Sequence, residues 1–597
     1  MVSNRSAGSK SAPKQAGSTV SSSTLFSGIS FLVAGVLIVL ATIYLFKTNP
    51  TSGTWTQGYD PIGPWWVSTL FAALPIFVLL GAMAILRLKA HVAAVAGLTT
   101  ALVVAIAVFH MPVRLAFTSA ADGAGYGIFP ICWIILPVIF LYQLTVKTGR
   151  FESLQHSLTN ITDDSRLQLL LIAFALGALF EGTAGFGTPV AVCGAILISL
   201  GFKPLEAAGL TLIADTAPVA FGALGTPIIA LHAVTGIDIM ILSKVVALIL
   251  TPFCLLVPFW LIWVFAGFRA MMEVWPAILV AGLTFSITQY FMGTYTGATL
   301  VDITAAIATI VVLIVFLHFW KPKRILNALK EDITEQERTR RGHSISETFH
   351  CWLPWLILTV VVFAWGLPFF AQRADHTTVK FTVAGLHNFV QRVPPVVPKP
   401  SIEPAIFNFN WLTATGTGIL IAAIIAGLVM GVGIVDLFKE FAKTIFNVRF
   451  TVVTIAAMMA LGYITRYCGL DATLGLAFAR TGVLYPFFGT LIGWLGTAST
   501  GSDTSANVLF GSLQKMTAQQ IGVSPALMAG ANSAGGVMGK MIAAPSIVVA
   551  STATQTYGQE GTILRYVFLH SLALASLVGV LVYLLAYVPA FAALVAR

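Results

Sequence analysis

Glu181, Asp215, Asp503 and Lys540 are ionisable residues set inside long apolar stretches, each within a short run of glycine, proline, threonine or serine. An ionisable group at the centre of a membrane helix costs roughly 2.5–3.5 kcal/mol on insertion scales, so it is retained where it has work to do. The first run reads Phe180-Glu181-Gly182-Thr183-Ala184-Gly185-Phe186-Gly187-Thr188-Pro189. Gly182, Gly185 and Gly187 permit a tight turn and a close approach of backbone to a ligand. Pro189 suits the first turn of a new helix. Free N–H groups at such a helix start, with the hydroxyls of Thr183 and Thr188, suit a carboxylate. A GxxxG-type helix contact beside a protonated Glu181 is the competing account.

The second run extends from Asp215 and Thr216 through Pro218, Gly222, Gly225 and Thr226 to Pro227. Pro218 removes a helix hydrogen bond, and the glycines loosen the following turns. Backbone groups freed at membrane depth need a ligand, an ion or water. The third run, Thr497 to Asn507, contains Ser499, Thr500, Gly501, Ser502, Asp503 and Thr504 in succession, with Asp503 where a helix cap would stand. The fourth, Asn532 to Ser546, contains Ser533 and a single cation, Lys540. Lys540 can neutralise a substrate carboxylate or pair with an acid; snorkelling to the interface is the competing account. The substrate site predicted from these runs comprises Gly182, Thr183, Gly185, Gly187, Thr188, Thr216, Gly225, Thr226, Ser499, Thr500, Gly501, Ser502, Thr504, Asn532, Ser533 and Lys540. Glu181, Asp215 and Asp503 are the candidate proton carriers. Asp503, Asn507 and Asn532 equally offer oxygen ligands to sodium. Arg466 either faces the cavity or caps its span, and the residues alone leave both open.

The elements that position these runs follow from composition. Of 597 residues, 57% are hydrophobic and 9% charged, against roughly 25% charged in soluble proteins. That excess of apolar surface needs a bilayer. The net charge of +10 sits in tails and short loops, which fits topology signals and not a nucleic-acid patch. Cys132, Cys193, Cys254, Cys351 and Cys468 lie singly and read as small core hydrophobes, so no metal or other cofactor is expected.

Spanning candidates lie at about 25–46, 65–86, 91–110, 126–146, 243–267, 274–293, 298–320, 350–371, 411–431, 450–467 and 566–590. Four shorter segments, 167–180, 184–200, 485–498 and 504–517, form two pairs joined by the first and third runs; 205–233 and 524–550 are interrupted by the second and fourth. Lys and Arg place 87–89, 147–166, 321–347 and 439–449 inside; 48–64, without a basic residue, and 372–410 suit the outside. With both pairs re-entrant, the two halves run in opposite senses. Thr183 and Thr500 lie 317 residues apart, as do Asp215 and Asn532, and Pro227 and Pro545 are 318 apart. The expected fold is therefore an all-α polytopic membrane protein of about 13–14 hydrophobic segments, with two inverted repeats of re-entrant hairpin and broken helix. The expected organisation is a disordered basic tail (1–24), an extra N-terminal span (25–47), a first transporter half (58–320), a cytoplasmic loop (321–349) and a second half (350–597). A nucleophile elbow, an HExxH pair and a dinucleotide fingerprint are all missing, which argues against an enzyme.

The long motifs resemble the lactate permease family. The carrying stretches are FEGTAGFGTP from Phe180, GFKPLEAAGL from Gly201, TAPVAFGALGTPI from Thr216, TGSDTSANVLFGSLQ from Thr500, AQQIGVS from Ala518 and GANSAGGVMGKMIAAPSI from Gly530. Tyr59-Asp60-Pro61 also looks like the start of that family, so the likeness runs from about residue 58 to the C-terminus. The resemblance implies import of L-lactate, with D-lactate and glycolate as related 2-hydroxy monocarboxylates, by proton symport across the cytoplasmic membrane. A sodium-coupled carrier of other organic acids, or an ion exchanger, is the alternative. The N-terminus is expected inside, and a homodimer is left open. An elevator-like motion enters by analogy with related transporter folds.

Overall fold

The computed structural model describes residues 53–84, 86, 88–151, 153, 161–183, 185, 187–332, 345–366, 374–397, 399–556 and 559–596. The expected tail and first span lie outside these residues, as do residues 333–344 of the expected cytoplasmic loop. Among the described residues, nine helices are long and apolar enough to cross a membrane, or up to twelve if each bent pair is one span.

Helix α1 (Trp65–Ala84) and α2 (Ala90–Ala107) lead into α3, a 35-residue span from Val113 to Lys147. The sequence suggests a start near residue 126, because Gly123, Gly125 and Gly127 dilute the apolar run. These glycines are contact surface. A Cβ on Gly123 would stand 2.4 Å from the Met459 carbonyl oxygen, and one on Gly127 2.8 Å from the Ala456 Cα. Small residues let two backbones meet in a membrane, and the partner here is α13 (Ile434–Cys468). That helix is longer than the 450–467 expected. Its first half buries Leu437, Glu440, Thr444 and Val448 at helical spacing while Lys439 and Lys443 stay exposed, so the basic stretch is an amphipathic helix end.

The first hairpin is α4 (Ser165–Thr183) and α5 (Thr188–Ser199). The first broken helix follows as α6 (Pro204–Ala214) and α7 (Gly222–Thr235), bent by 62°. Next come α8 (Ile239–Glu273), α9 (Trp275–Tyr295) and α10 (Val301–Phe319). In the second half α11 (Ile345–Gly366), α12 (Thr415–Val429) and α13 precede a short helix that the sequence did not reveal, α14 (Leu470–Ala479). The second hairpin is α15 (Tyr485–Thr500) and α16 (Asp503–Ile521). The second broken helix is α17 (Pro525–Gly539) and α18 (Ala544–Ala553), and α19 (Glu560–Tyr587) and α20 (Pro589–Ala596) close the chain.

Hairpin followed by broken helix thus occurs twice. Thr183 and Thr500 each end a first hairpin arm, and Pro227 and Pro545 each stand in the first turn where a broken helix resumes. The third sequence pair does not match. Asp215 is the C-cap of α6, at the break, whereas Asn532 lies inside α17; the residue at the second break is Lys540, the C-cap of α17. Large apolar side chains such as Phe77, Phe268, Ile287, Phe291 and Phe319 face outward, as lipid contact requires.

A small cap covers one end. The strand β1 (Trp55–Thr56) pairs in parallel with β3 (Val390–Arg392), which pairs antiparallel with β4 (Ser401–Glu403). The strands β2 (Val379–Thr382) and β5 (Ile406–Phe409) form a second ladder. Gln57 pins the cap to α13 by donating to the carbonyls of Arg466 and Tyr467, at 3.1 and 2.7 Å.

Candidate functional site

Each hairpin tip and each break is built from residues that stop a helix, and all four meet around one cavity. At the first tip Gly185 and Gly187 take positive φ, +58° and +83°, and α5 restarts behind them. At the first break Ala223, Leu224 and Gly225 all hold left-handed backbone, with φ of 43°, 52° and 76°. For a residue with a Cβ this costs roughly 1–2 kcal/mol, and such strain persists where the surroundings impose it. Gly225 has no alternative, since a Cβ there would stand 2.5 Å from the Ala298 carbonyl oxygen. At the second tip Gly501 (φ 77°) ends α15, and Ser502 caps α16 by accepting from the Ser505 N–H at 3.2 Å. At the second break the chain is extended at Ala543 before α18 begins.

The cavity is lined by Glu181, Gly185, Val219, Gly222, Ala223, Thr226, Pro227, Gly501, Ser502, Asp503, Thr504 and Lys540, with a volume of about 30 Å³. One water takes roughly 10–15 Å³ by this measure, so the space admits about two waters and must widen for a larger occupant. The Lys540 ammonium donates to Glu181 Oε1 at 2.6 Å and lies 3.7 Å from Asp215 Oδ2. The C-caps of the two first half-helices therefore face each other as opposite charges. Asp503 is held differently. It accepts from Ser533 Oγ at 2.5 Å, Asn507 Nδ2 at 3.3 Å and Thr497 Oγ1 at 3.4 Å, in the first turn of α16. All three of these donors are neutral side chains.

Of the residues the sequence singled out, Gly185, Thr226, Gly501, Ser502, Thr504 and Lys540 line this cavity with Glu181 and Asp503. The others surround it. Thr183, Thr216 and Thr500 spend their hydroxyls on carbonyls of their own helices, at 2.8, 2.7 and 2.8 Å. Gly182 packs on Asp302 and Ile303, Gly187 on Val549, and Gly225 on Ala298. Asn532 and Ser533 stand behind Asp503: Asn532 donates to Asn507 Oδ1 at 3.0 Å and its own oxygen accepts from Gln514 at 3.1 Å. Asn507 also donates to the Pro227 carbonyl at 3.2 Å, which satisfies a carbonyl in the resumed first turn of α7. Thr188 and Ser499 are half-buried and outside the lining.

Arg466 does not reach the cavity. Its guanidinium lies 3.4 Å from the carbonyls of Ala233 and Val234, at the C-terminus of α7, and 3.3 Å from Glu403 of the cap. Three further side chains matter and were not singled out: Asp302 at the start of α10, and Gln289 and Cys254, whose thiol donates to Gln289 Oε1 at 2.6 Å. Asp302 had a signal, a lone acid in the apolar run 298–320.

Hairpins and broken helices that meet at mid-body on a buried polar site are the plan of secondary transporters, and this chain is a multi-pass membrane protein of that class. Within the class the match is specific: the family model described as L-lactate permease matches residues 68–589. The chain belongs to the L-lactate permease family. It is 45% identical over 551 residues to the glycolate permease GlcA of Escherichia coli K12, covering 90% of this chain and 98% of that protein. It is 41% identical over 545 residues to the L-lactate permease of the same strain (89% and 98% covered), and 41% over 563 residues to that of Bacillus subtilis 168 (89% and 98%). Among solved structures, the YdaH transporter of Alcanivorax borkumensis aligns over 78% of this chain and 87% of its own, with 11% identity and a TM-score of 0.41.

Proposed function

We propose that this chain imports L-lactate, and with it D-lactate and glycolate, by proton symport across the cytoplasmic membrane. The observation that carries the reading is Lys540, the one ammonium in a buried cavity ringed by two helix starts and the hydroxyls of Thr226, Ser502 and Thr504. An incoming carboxylate would take the ammonium and the free N–H groups of α7 and α16. The names of the relatives support a short 2-hydroxy acid as the occupant. Proton coupling is favoured over sodium by the hydrogen bonds. The oxygens of Asp503, Asn507 and Asn532, which would ligate sodium, already accept from Ser533, Asn507, Asn532 and Gln514. In this reading the hairpins and broken helices move together against α1–α3 and α11–α13, which pack mainly on one another.

The test is radiolabelled L-lactate uptake into proteoliposomes under imposed gradients. Accumulation driven by an inward proton gradient, without sodium and abolished by an uncoupler, is the expected result. Accumulation driven only by sodium would remove the coupling assignment, and counterflow with neither lactate nor glycolate would remove the substrate.

A further inference from the structure

Two carboxyl groups line the cavity, Glu181 and Asp503, and their oxygens are unequally used. Both Asp503 oxygens accept, Oδ1 from Thr497 and Oδ2 from Ser533 and Asn507. Glu181 Oε1 accepts from the Lys540 ammonium at 2.6 Å. Glu181 Oε2 is buried without a hydrogen-bond partner, on a side chain only 4% exposed. Asp215 and Asp302 also carry unpartnered oxygens, but neither residue is among those lining the cavity. Glu181 is set against the start of α7, since a Cβ on Gly222 would stand 2.7 Å from its Oε1.

A buried acceptor left without a donor is costly, and a carboxylate oxygen is completed only by a group that donates. An ammonium has three N–H groups. Lys540 gives one to Glu181 and stands 3.7 Å from Asp215, too far for a hydrogen bond. It can therefore serve a substrate carboxylate while keeping Glu181, and the two carboxylates then lie side by side on one cation. In a 2-hydroxy acid the hydroxyl is borne by the carbon next to the carboxylate. A carboxylate held on Lys540 brings that hydroxyl to the corner where Glu181 Oε2 lacks a donor.

We propose that Glu181 Oε2 accepts the hydrogen bond of the substrate's 2-hydroxyl and so selects 2-hydroxy acids over monocarboxylates of the same skeleton that lack it. The assignment rests on the 2-hydroxy-acid reading above and gives it a selecting residue. A site with a buried acceptor rejects the analogue that cannot satisfy it, because the acceptor is then left unpaired. Propionate has the carbon skeleton of L-lactate without the hydroxyl. Pyruvate carries an oxygen at the same carbon that cannot donate, and so sets a second acceptor against Glu181 Oε2.

The experiment uses the full chain in proteoliposomes and reads competition by unlabelled acids against counterflow of radiolabelled L-lactate. In the wild type, L-lactate and glycolate are expected to compete at concentrations about 10- to 150-fold lower than propionate or pyruvate, the difference made by one hydrogen bond to a charged group. Glu181→Leu, which has no acceptor, is expected to make propionate and L-lactate equally potent. Glu181→Gln, which keeps one amide oxygen, should fall between. A merely structural role would weaken all the acids alike and leave their ratio at the wild-type value. Propionate or pyruvate as potent as L-lactate in the wild type overturns the assignment. So does a folded Glu181→Leu that keeps the wild-type ratio or has lost counterflow of every acid. Should neither variant fold, the wild-type series decides. If the wild type exchanges neither L-lactate nor glycolate, the substrate reading itself fails, which separates the two claims.

Discussion

The contact between Lys540 and Glu181 joins residues 359 apart in sequence, both almost fully buried. Removing one partner of a buried pair leaves an uncompensated charge, which costs about 3–5 kcal/mol. Lys540→Ala is therefore expected to abolish lactate uptake and to lower the unfolding temperature sharply in detergent. The double variant Lys540→Ala/Glu181→Gln should recover most of that stability but none of the uptake, because the buried charge is gone while the substrate's counter-ion is still missing. A double variant no more stable than Lys540→Ala would show that the pair contributes little. Glu181, Asp215, Asp503 and Lys540 were legible in the sequence because each is a lone charge beside helix-breaking residues. Asp302 was equally alone, but it lies in an uninterrupted apolar run, and only the fold brings that run behind the first hairpin tip. The hydrogen bonds of the threonines were not legible for a related reason. A hydroxyl in a membrane helix can turn back to its own carbonyls, as Thr183 and Thr500 do, and the sequence does not show which ones turn.

The elements depend on backbone contacts that only glycine allows. A Cβ on Gly535 of α17 would stand 2.1 Å from the Thr490 carbonyl oxygen of α15, and one on Gly539 2.1 Å from that of Trp494. From the other side, a Cβ on Gly493 of α15 would stand 2.0 Å from the Asn532 oxygen. Gly535 and Gly539 form a GxxxG face, one turn from the break that presents Lys540. Gly535→Ala is expected to destabilise the protein by about 1–3 kcal/mol, the usual range for overpacking. Gly561→Ala, in the first turn of α19 with nothing near its Cβ, should be neutral or slightly stabilising. Thermal unfolding of the two variants in one detergent tests the contrast, and equal shifts would contradict the close approach. The breaks and hairpins were legible because glycine and proline mark where a helix cannot continue. The amphipathic first half of α13 was not, since its lysines mimic a loop boundary. Nor was α14, which is only ten residues long and folds back at Gly482 by 112° into α15.

At the scale of the whole molecule, the cap and the broken helix α7 are tied through one side chain. Arg466 on α13 meets the carbonyls of Ala233 and Val234 on one side and Glu403 on the other; Glu403 also holds Arg392 at 2.7 Å. Positive charge at a helix C-terminus is favourable, and Lys515 of α16 adds to it by donating to the Thr235 carbonyl. Glu403 thus keeps two guanidiniums together at the C-terminal end of α7. Charge makes loop 372–410 an expected outside loop, but it could not show the pairing of Trp55 with Val390 that ties the loop to the segment before α1. Glu403→Ala leaves both guanidiniums without their carboxylate and should loosen the cap without touching the cavity. The expected result is faster tryptic cleavage after Lys380 or Arg392, with the membrane body remaining intact on a gel. Right-side-out vesicles should show the cleavage and sealed inside-out vesicles should not, because charge places this loop outside. Cleavage confined to inside-out vesicles would reverse the orientation, and an unchanged rate would show that the cap is held by its strands and by Gln57 alone.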